Sequence, residues 1–412
     1  MAHERLDAAL DRAVGALREA GTAKGDESIV VAVRPPSEDR GPRVLLAGEG
    51  DREFLRMNSN SYLGMSLRAA VIEAEESATR RYGAGPGAVR FISGTYEPHV
   101  DLERKLAEFH QRDAAMIFSS AYASVVSTIA PLTDDGTLLI SDELNHNCII
   151  NAIRLSRPMA KKIYAHNDMG ALEQVLEEAA ATPEESRARR VLLVTDGIFS
   201  MRGDHAPLDE VVALARQYDE AFAENVVVIV DDSHGIGAFG DTGRGVEEYC
   251  SARADILVAT LGKALGVNGG YVAASASVIA YLRETSMMYI YSNPITPGEA
   301  QAAAAALDIL DSERGRTLLG RLRELTARFE RGLVERGFEV IPGEHPVVPL
   351  MVRDTDRTRR LVAHLFENGV LATGLAYPVV PRGDEEIRFQ INADHTEADV
   401  DSVLEVLAEF GA

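Results

Sequence analysis

A chain of 412 residues is long enough to bury a large core and suggests two domains. A net charge of −22 argues against general attraction to nucleic acid or anionic membranes, so any phosphorylated ligand must be met by local donors. Two cysteines, Cys148 and Cys250, cannot build a disulfide framework, and neither has metal-ligand spacing with another Cys or His; they read as reduced structural thiols, with no metal site.

The first segment, "MAHERLDAALDRAVGALREAG", is charged and helix-patterned, with no apolar leader core. The longest apolar stretches, such as "VVVIV" at 226–230, are too short to cross a bilayer. A cytoplasmic protein that does not engage a membrane is the expectation. The loop "RPPSEDRGPR" (34–43) then separates the helix from a hairpin leading to "MNSNSYLGM". Residues 1–57 are taken as this N-terminal helix and hairpin segment.

From residue 58 to 295 short apolar runs alternate with helical patterns. The strands are expected at 114–118, 137–142, 161–166, 190–197, 226–232, 255–260 and 269–275. Amphipathic segments such as "AYASVVSTIAPL", "HNCIINAIRL" and "ALEQVLEEAAA" lie between them. That alternation predicts an α/β large domain, with a mostly parallel seven-stranded sheet covered on both faces. Ligands gather at the carboxyl ends of such strands. Beyond 295 come a long amphipathic helix in "ERGRTLLGRLRELTARFERGLVERG" and three strands interleaved with two helices, a smaller α+β domain over 296–412.

Polar residues fall repeatedly at the strand ends. "LLISDELNHN" ends in Asp142 and His146, "VLLVTDGIFSMRG" in Asp196 and Ser200, and "VVVIVDDSHG" in Asp231, Asp232, Ser233 and His234. Singly, each serves as well as a helix cap or turn. The fourth end, "DILVATLGKALGVNGG", carries Thr260 and Lys263. Only five of the 42 basic residues are lysine, at 24, 105, 161, 162 and 263, and the other four lie in charged segments that read as exposed. Guanidinium supplies charge but cannot act as an amine nucleophile, so a lysine kept among glycines is a candidate for chemistry. Pyridoxal phosphate needs this set: an amine for its aldehyde, an aspartate for the pyridine nitrogen, an imidazole against the ring, and hydroxyls with helix-N-terminal N–H groups for the phosphate. "FSSAYASVVS" offers such a helix start.

The stretches "SDELNHNCIINAIRLS", "VTDGIFSMRG", "VIVDDSHGIGAFGDTGRG", "ATLGKALGVNGGY" and "YPVVPRGDEEIRFQINADHT" resemble the α-oxoamine synthases of the fold-type-I pyridoxal-phosphate superfamily. "GAVRFISGTYEPHVDLE" and "YPVV" with "ADHT" look most like the glycine C-acetyltransferase (2-amino-3-ketobutyrate coenzyme A ligase) type. The resemblance implies a fold-type-I transferase with Lys263 bonded to the cofactor aldehyde and Asp231 at the pyridine nitrogen. It implies His234 at the ring oxygen with help from Ser200, and His146 stacked on the ring. Phosphate contacts would come from the backbone of Ala121 and Tyr122, from Thr260, and from Ser292 supplied across a homodimer with a shared active site. Arg388 would hold the amino-acid carboxylate, assisted by Asn60. Each of these has a plain alternative: Arg388 as a surface charge, His146 as a loop histidine, Ser292 and Asn60 as turn residues.

The implied reaction joins a small amino acid, glycine first, to the acyl group of a thioester, acetyl-CoA first. The alternatives are a relative of 8-amino-7-oxononanoate synthase using another amino acid or an acyl-carrier thioester, and an aminotransferase or carbon–carbon lyase with the same cofactor. A non-catalytic module with this fold is a third reading, which the intact Lys263, Asp231 and His234 set argues against. The chain departs from the family pattern at Ala121-Tyr122, at Val125 in place of an asparagine, at Arg202 in place of an acid, and in the shorter glycine stretch "GVNGG".

Overall fold

The structure, a computed structural model, describes residues 3–20, 22–23, 25–37, 39–377 and 380–411; Met1, Ala2, Gly21, Lys24, Glu38, Pro378 and Val379 of the stretches above lie outside them. After the helix Glu4–Glu19 come three antiparallel strands, β1 (Val30–Arg34), β2 (Arg43–Leu46) and β3 (Glu53–Arg56). The central sheet follows, with β4 (Ala114–Phe118), β5 (Thr137–Asp142), β6 (Ala160–Tyr164), β7 (Arg190–Asp196), β8 (Val226–Asp231), β9 (Ile256–Thr260) and β10 (Gly270–Ala274). Its order is β4-β10-β9-β8-β7-β5-β6, and only β10 runs against the others. All seven strands stand where the apolar runs place them.

Side chains alternate between the two faces of this sheet, so each strand feeds two cores. Leu138 and Ile140 of β5 and Val191 and Leu193 of β7 enter one; Leu139, Leu192 and Val194 enter the other. Burial on both faces explains why these strands read as continuous apolar runs rather than as alternating ones.

The C-terminal part contains β11 (Glu339–Val340), β12 (Val347–Met351), β13 (Val370–Leu371), β14 (Thr373–Leu375) and β15 (Glu386–Gln390). Four of them form the sheet β11-β12-β15-β14, while β13 leaves it and pairs in parallel with β3. The N-terminal hairpin and the C-terminal part therefore share one sheet. The helix Pro297–Leu310, started by a capping box of Thr296 and Glu299, packs back on the helices Ala69–Tyr82 and Glu97–Phe109. Among the described residues no helix is long and apolar enough to cross a membrane.

Candidate active site

Because β5, β7, β8 and β9 run in parallel, their carboxyl ends lie along one edge, and the residues that follow meet above it. A small cavity of about 60 Å³ there is lined by Ala121, Tyr122, His146, Cys148, Asp196, Ile198, Ser200, Asp231, Ser233, His234 and Lys263. A second, larger cavity of about 460 Å³ meets the first at Lys263 and is lined among others by Arg56, Asn60, Ser61, Gly262 and Asp394.

The carboxylate end of the site is built by strand register. Asp196 and Asp231 are direct neighbours at the ends of β7 and β8. Burial, and then the Asp231 charge, push the Asp196 carboxyl well above the usual range, since two adjacent buried carboxylates cannot both ionise cheaply. Asp196 Oδ2 accepts from the His146 N–H at 2.7 Å, and its own N–H donates to Asn145 Oδ1 at 2.8 Å. Asn145 also donates to Val194 O and Ser141 Oγ, both at 2.9 Å, so it stitches β5 to β7 beneath His146. Asp231 Oδ1 accepts from the Ser233 hydroxyl at 2.6 Å and its N–H at 3.1 Å; Oδ2 accepts from the Cys148 thiol at 3.6 Å. Burial, then Asp231 itself, keep that thiol protonated, as a donor must be.

Lys263 follows β9 in a tight loop. Thr260 Oγ1 donates to Gly269 O at 3.2 Å and accepts from Gly262 N–H at 3.0 Å, so that hydroxyl braces the lysine loop and lines neither cavity. Gly266, at φ +71°, is a position where a Cβ would stand 2.4 Å from Ser66 N. Burial pulls the Lys263 amine down to about 8, with Asp231 and Asp196 opposing and Arg388 adding to the fall. His234 is buried, and that burial, with Lys263, His345 and Arg388 nearby, holds its imidazole neutral.

The helix Ala121–Leu132 begins at the opposite wall. Ser120 caps it, its Oγ accepting from Ala123 N–H at 3.1 Å; Ala121 and Tyr122, whose first-turn N–H groups have no partner within the helix, line the cavity. That helix start comes close to the sheet because β10 opens with glycine: a Cβ on Gly270 would lie 2.4 Å from Ala121 N. The Tyr122 side chain is partly exposed, and its hydroxyl donates to Asn147 Oδ1 at 3.0 Å.

Arg388, on β15, reaches over from the C-terminal part and donates through Nη1 to Ser200 O at 3.0 Å. Its Nε is buried with no partner among the described residues. Asn60 lines the larger cavity, with its Oδ1 3.4 Å from the Tyr62 hydroxyl oxygen. Ser292 follows the short helix Met287–Ile290, beside the exposed Tyr291, and lines neither cavity. Val125 is buried in the Ala121–Leu132 helix, and Arg202 donates to Asp204 Oδ2 at 2.8 Å.

Tyr62, Cys148, Asp196 and His345 also belong to this region. Asp196 and Cys148 stood in motifs that suggested it, and Tyr62 stood beside Asn60 in "NSYLG" with no role of its own; His345 stood in none. Tyr62 Oη lies 2.7 Å from His234 Nδ1, and His345 Nε2 lies 2.9 Å from His234 O.

A flanking cluster fixes the loop that carries Ser200. His166 bonds Asp142 Oδ1 at 3.1 Å and Asp204 Oδ2 at 3.2 Å. Burial opposes its charge, but the two carboxylates outweigh burial and push the imidazole up to about 9. A histidine raised in this way stabilises the fold fully below its ordinary value of 6.5 and loses that contribution as pH climbs through 9. The expected loss between about pH 6 and about pH 10 is on the order of 2–3 kcal/mol. Denaturant unfolding of the wild type and His166→Gln at both values checks it; equal pH dependence in the two proteins would show that His166 carries none of the effect.

The profile of the family "Aminotransferase class I and II" matches residues 52–407. The chain is 39% identical over 388 residues to the 8-amino-7-oxononanoate synthase of Geobacter sulfurreducens, covering 94% of this chain and 95% of that one. It is 40% identical over 374 residues to the synthase of the same name from Geobacter metallireducens, covering 90% and 92%. Among solved structures, the serine palmitoyltransferase of Sphingomonas wittichii superposes with a TM-score of 0.87 at 25% identity, over 99% of this chain and 97% of that one. The 8-amino-7-oxononanoate synthase of Francisella tularensis, at 22% identity and a TM-score of 0.72 over 86% and 97%, shares the fold. With a family match over most of its length and relatives at 39% and 40% identity, the chain belongs to the aminotransferase class I and II family of fold-type-I pyridoxal-phosphate enzymes, in its α-oxoamine synthase branch.

Proposed function

We propose that this chain condenses a small α-amino acid with the acyl group of a thioester and releases carbon dioxide, giving an α-amino ketone. The observation that carries the reading is the meeting of one amine of lowered basicity, Lys263, with Asp231, His146 and His234 in a single small cavity. Glycine and acetyl-CoA, the pair expected first from the sequence, now stand second, because the relatives at 39% and 40% identity are 8-amino-7-oxononanoate synthases. The carbon skeleton in that name is a nine-carbon acid with a ketone beside a methyl-bearing amino carbon. It divides into a seven-carbon acyl group ending in a carboxylate and the part of alanine left after decarboxylation. Alanine and such an ω-carboxyacyl thioester are the substrates we put first, with CoA or a carrier protein as the thiol.

The residues present fit the cofactor. Lys263 would hold the aldehyde and Asp231 the pyridine nitrogen, while the first turn of the Ala121–Leu132 helix, brought close by Gly270, suits the phosphate. When bound, pyridoxal phosphate supplies an electron-accepting ring that stabilises negative charge at the amino-acid α carbon. Lys263, with its amine near 8, would take the α proton at Nζ and return one later. Arg388 would orient the carboxylate through the guanidinium nitrogens left after its bond to Ser200 O, the buried unpartnered Nε among them. The larger cavity on the other side of Lys263 gives the acyl group an approach.

Removing Arg388 tests the orientation role. Arg388→Ala is expected to raise KM for the amino acid by about 10- to 100-fold, the worth of a charged hydrogen-bond pair, with KM for the thioester little changed. Unchanged KM for the amino acid would remove Arg388 from this role.

A second copy of the chain is the partner we expect, as in the sequence reading. Phe91 and Ile92 (both 67% exposed), Met287 (65%) and Tyr291 (72%) leave large apolar side chains in water, and Ser292 sits at the end of that set. The reaction itself is tested by incubating the cofactor-loaded protein with amino acids and acyl thioesters in a matrix, following free thiol and carbon dioxide. Alanine with the ω-carboxyacyl thioester is expected to release both. Thiol release only from glycine and acetyl-CoA, without carbon dioxide, would return the first sequence reading; amino transfer without thiol release would favour the aminotransferase one.

A further inference from the structure

Tyr62 is fully buried and adopts a left-handed backbone, φ +32°, which a bulky aromatic residue enters only under constraint. The constraints surround it. Tyr62 O accepts from Ala393 N–H at 2.6 Å, and Asn392 Nδ2 donates to Ser61 Oγ at 2.9 Å. Arg68 Nη2 donates both to Leu63 O at 2.6 Å and to Asp394 Oδ1 at 2.9 Å. Next along, Gly64 presses on Asp394 so closely that a Cβ would lie 1.8 Å from its Oδ2. The turn is thus clamped to the 392–394 loop, and the one polar atom of the Tyr62 side chain is delivered to His234 Nδ1, 172 residues away, at 2.7 Å.

The hydroxyl carries a single proton, and two acceptors stand near it. His234 Nδ1 is at 2.7 Å, while Asn60 Oδ1 is at 3.4 Å, beyond the ordinary range for an O–H···O bond. The phenol is also a stronger donor than a neutral imidazole N–H. The proton therefore goes to Nδ1. A neutral imidazole that accepts at Nδ1 must carry its own proton at Nε2. Nε2 makes no hydrogen bond among the described residues, and His234 lines the small cavity.

The His234 backbone is fixed by a similar device. His345 Nδ1 accepts from Val347 N–H at 3.2 Å, so its Nε2 bears the proton and donates to His234 O at 2.9 Å. The His345 ring stands edge-on to the Tyr62 ring, with centroids 5.4 Å apart. Ring and main chain of His234 are both oriented from behind.

We propose that Tyr62 is a positioning residue that fixes His234 as the Nε2–H tautomer, so that the site meets the oxygen of its bound ligand with an N–H donor rather than a lone pair. The importance of a donor there rests on the cofactor reading above; the tautomer does not. Without the hydroxyl, either ring nitrogen can carry the proton, and the donor is present only part of the time.

The test reads the tautomer directly. The protein is labelled with ¹⁵N-histidine, and the His234 signals are identified by their loss in His234→Gln. In the wild type, without cofactor, Nδ1 is expected at the position of an unprotonated ring nitrogen and Nε2 at that of a protonated one. In Tyr62→Phe the two positions are expected to converge as the tautomers mix. With pyridoxal phosphate added, the visible absorbance of Tyr62→Phe is expected to change with pH at a different midpoint from the wild type, and kcat to fall by about 10-fold. A wild-type Nδ1–H signal overturns the proposal without any variant. So does a folded Tyr62→Phe whose two nitrogen positions match the wild type. Absence of cofactor binding alongside the expected wild-type signals would overturn the cofactor reading and leave the tautomer assignment standing.

Discussion

Lys263→Met is expected to abolish turnover, with kcat lowered by at least about 10³-fold, while making the cofactor-free protein more stable near neutral pH. The two effects have one cause. The amine lies where burial pulls it from an ordinary 10.5 to about 8, so the fold disfavours its charged form. A base lowered in this way destabilises the protein below 8, and the penalty fades as pH rises from 8 toward 10.5. Methionine keeps much of the volume and removes the charge. The expected gain near pH 7 is on the order of 1–3 kcal/mol, read by denaturant unfolding of the two proteins without cofactor. A variant less stable than the wild type at pH 7 would mean that the amine is well solvated or well paired. Retained turnover would remove Lys263 from the chemistry altogether.

Asp231→Asn is expected to lower kcat by about 10²- to 10³-fold with the fold intact. The side-chain oxygen of asparagine still accepts from Ser233, so the end of β8 keeps its local turn, and what is lost is the negative charge. Two further consequences separate this from a packing defect. Asp231 opposes the fall of the Lys263 amine, so the variant amine is expected to titrate below the wild-type value. Asp231 also holds the neighbouring Asp196 carboxyl up, so Asp196 is expected to move down when that charge is removed. The pH profile of Lys263 modification by an amine-selective reagent in the cofactor-free protein reads the first directly. A midpoint that stays put or rises would show that the charge of Asp231 does not reach the amine.

The sequence displays the central sheet almost completely because its strands are buried on both faces and separated by capped helices, so apolar runs and boundaries coincide. It displays the strand ends for the same reason: a polar residue straight after a buried run marks where the chain leaves the sheet, which places Asp196 and Asp231 in the cavity but leaves Thr260 bracing the lysine loop. The site is less legible where chain segments far apart in sequence meet. Tyr62 reads as one aromatic residue in a turn, and only the fold sets its hydroxyl against His234 and bends its backbone to φ +32°. His345 sits in "GEHPVV", which carries no motif, and acts through a main-chain carbonyl. The pairing of β13 with β3 rests on two residues, Val370 and Leu371, too short for a periodicity. Donor and acceptor identity were also beyond the motifs, since residues such as Arg202 and Val125 depart from the family pattern without a new contact in the cavity to say why.

The most direct measurement is chemical capture. The protein is loaded with pyridoxal phosphate, reduced with borohydride and digested, and the peptides are weighed. The expected result is one stable pyridoxyl group on the peptide containing Lys263, and none in Lys263→Met. A pyridoxyl group spread over the surface lysines, or missing from that peptide in protein that has bound the cofactor, would contradict the assignment of the site.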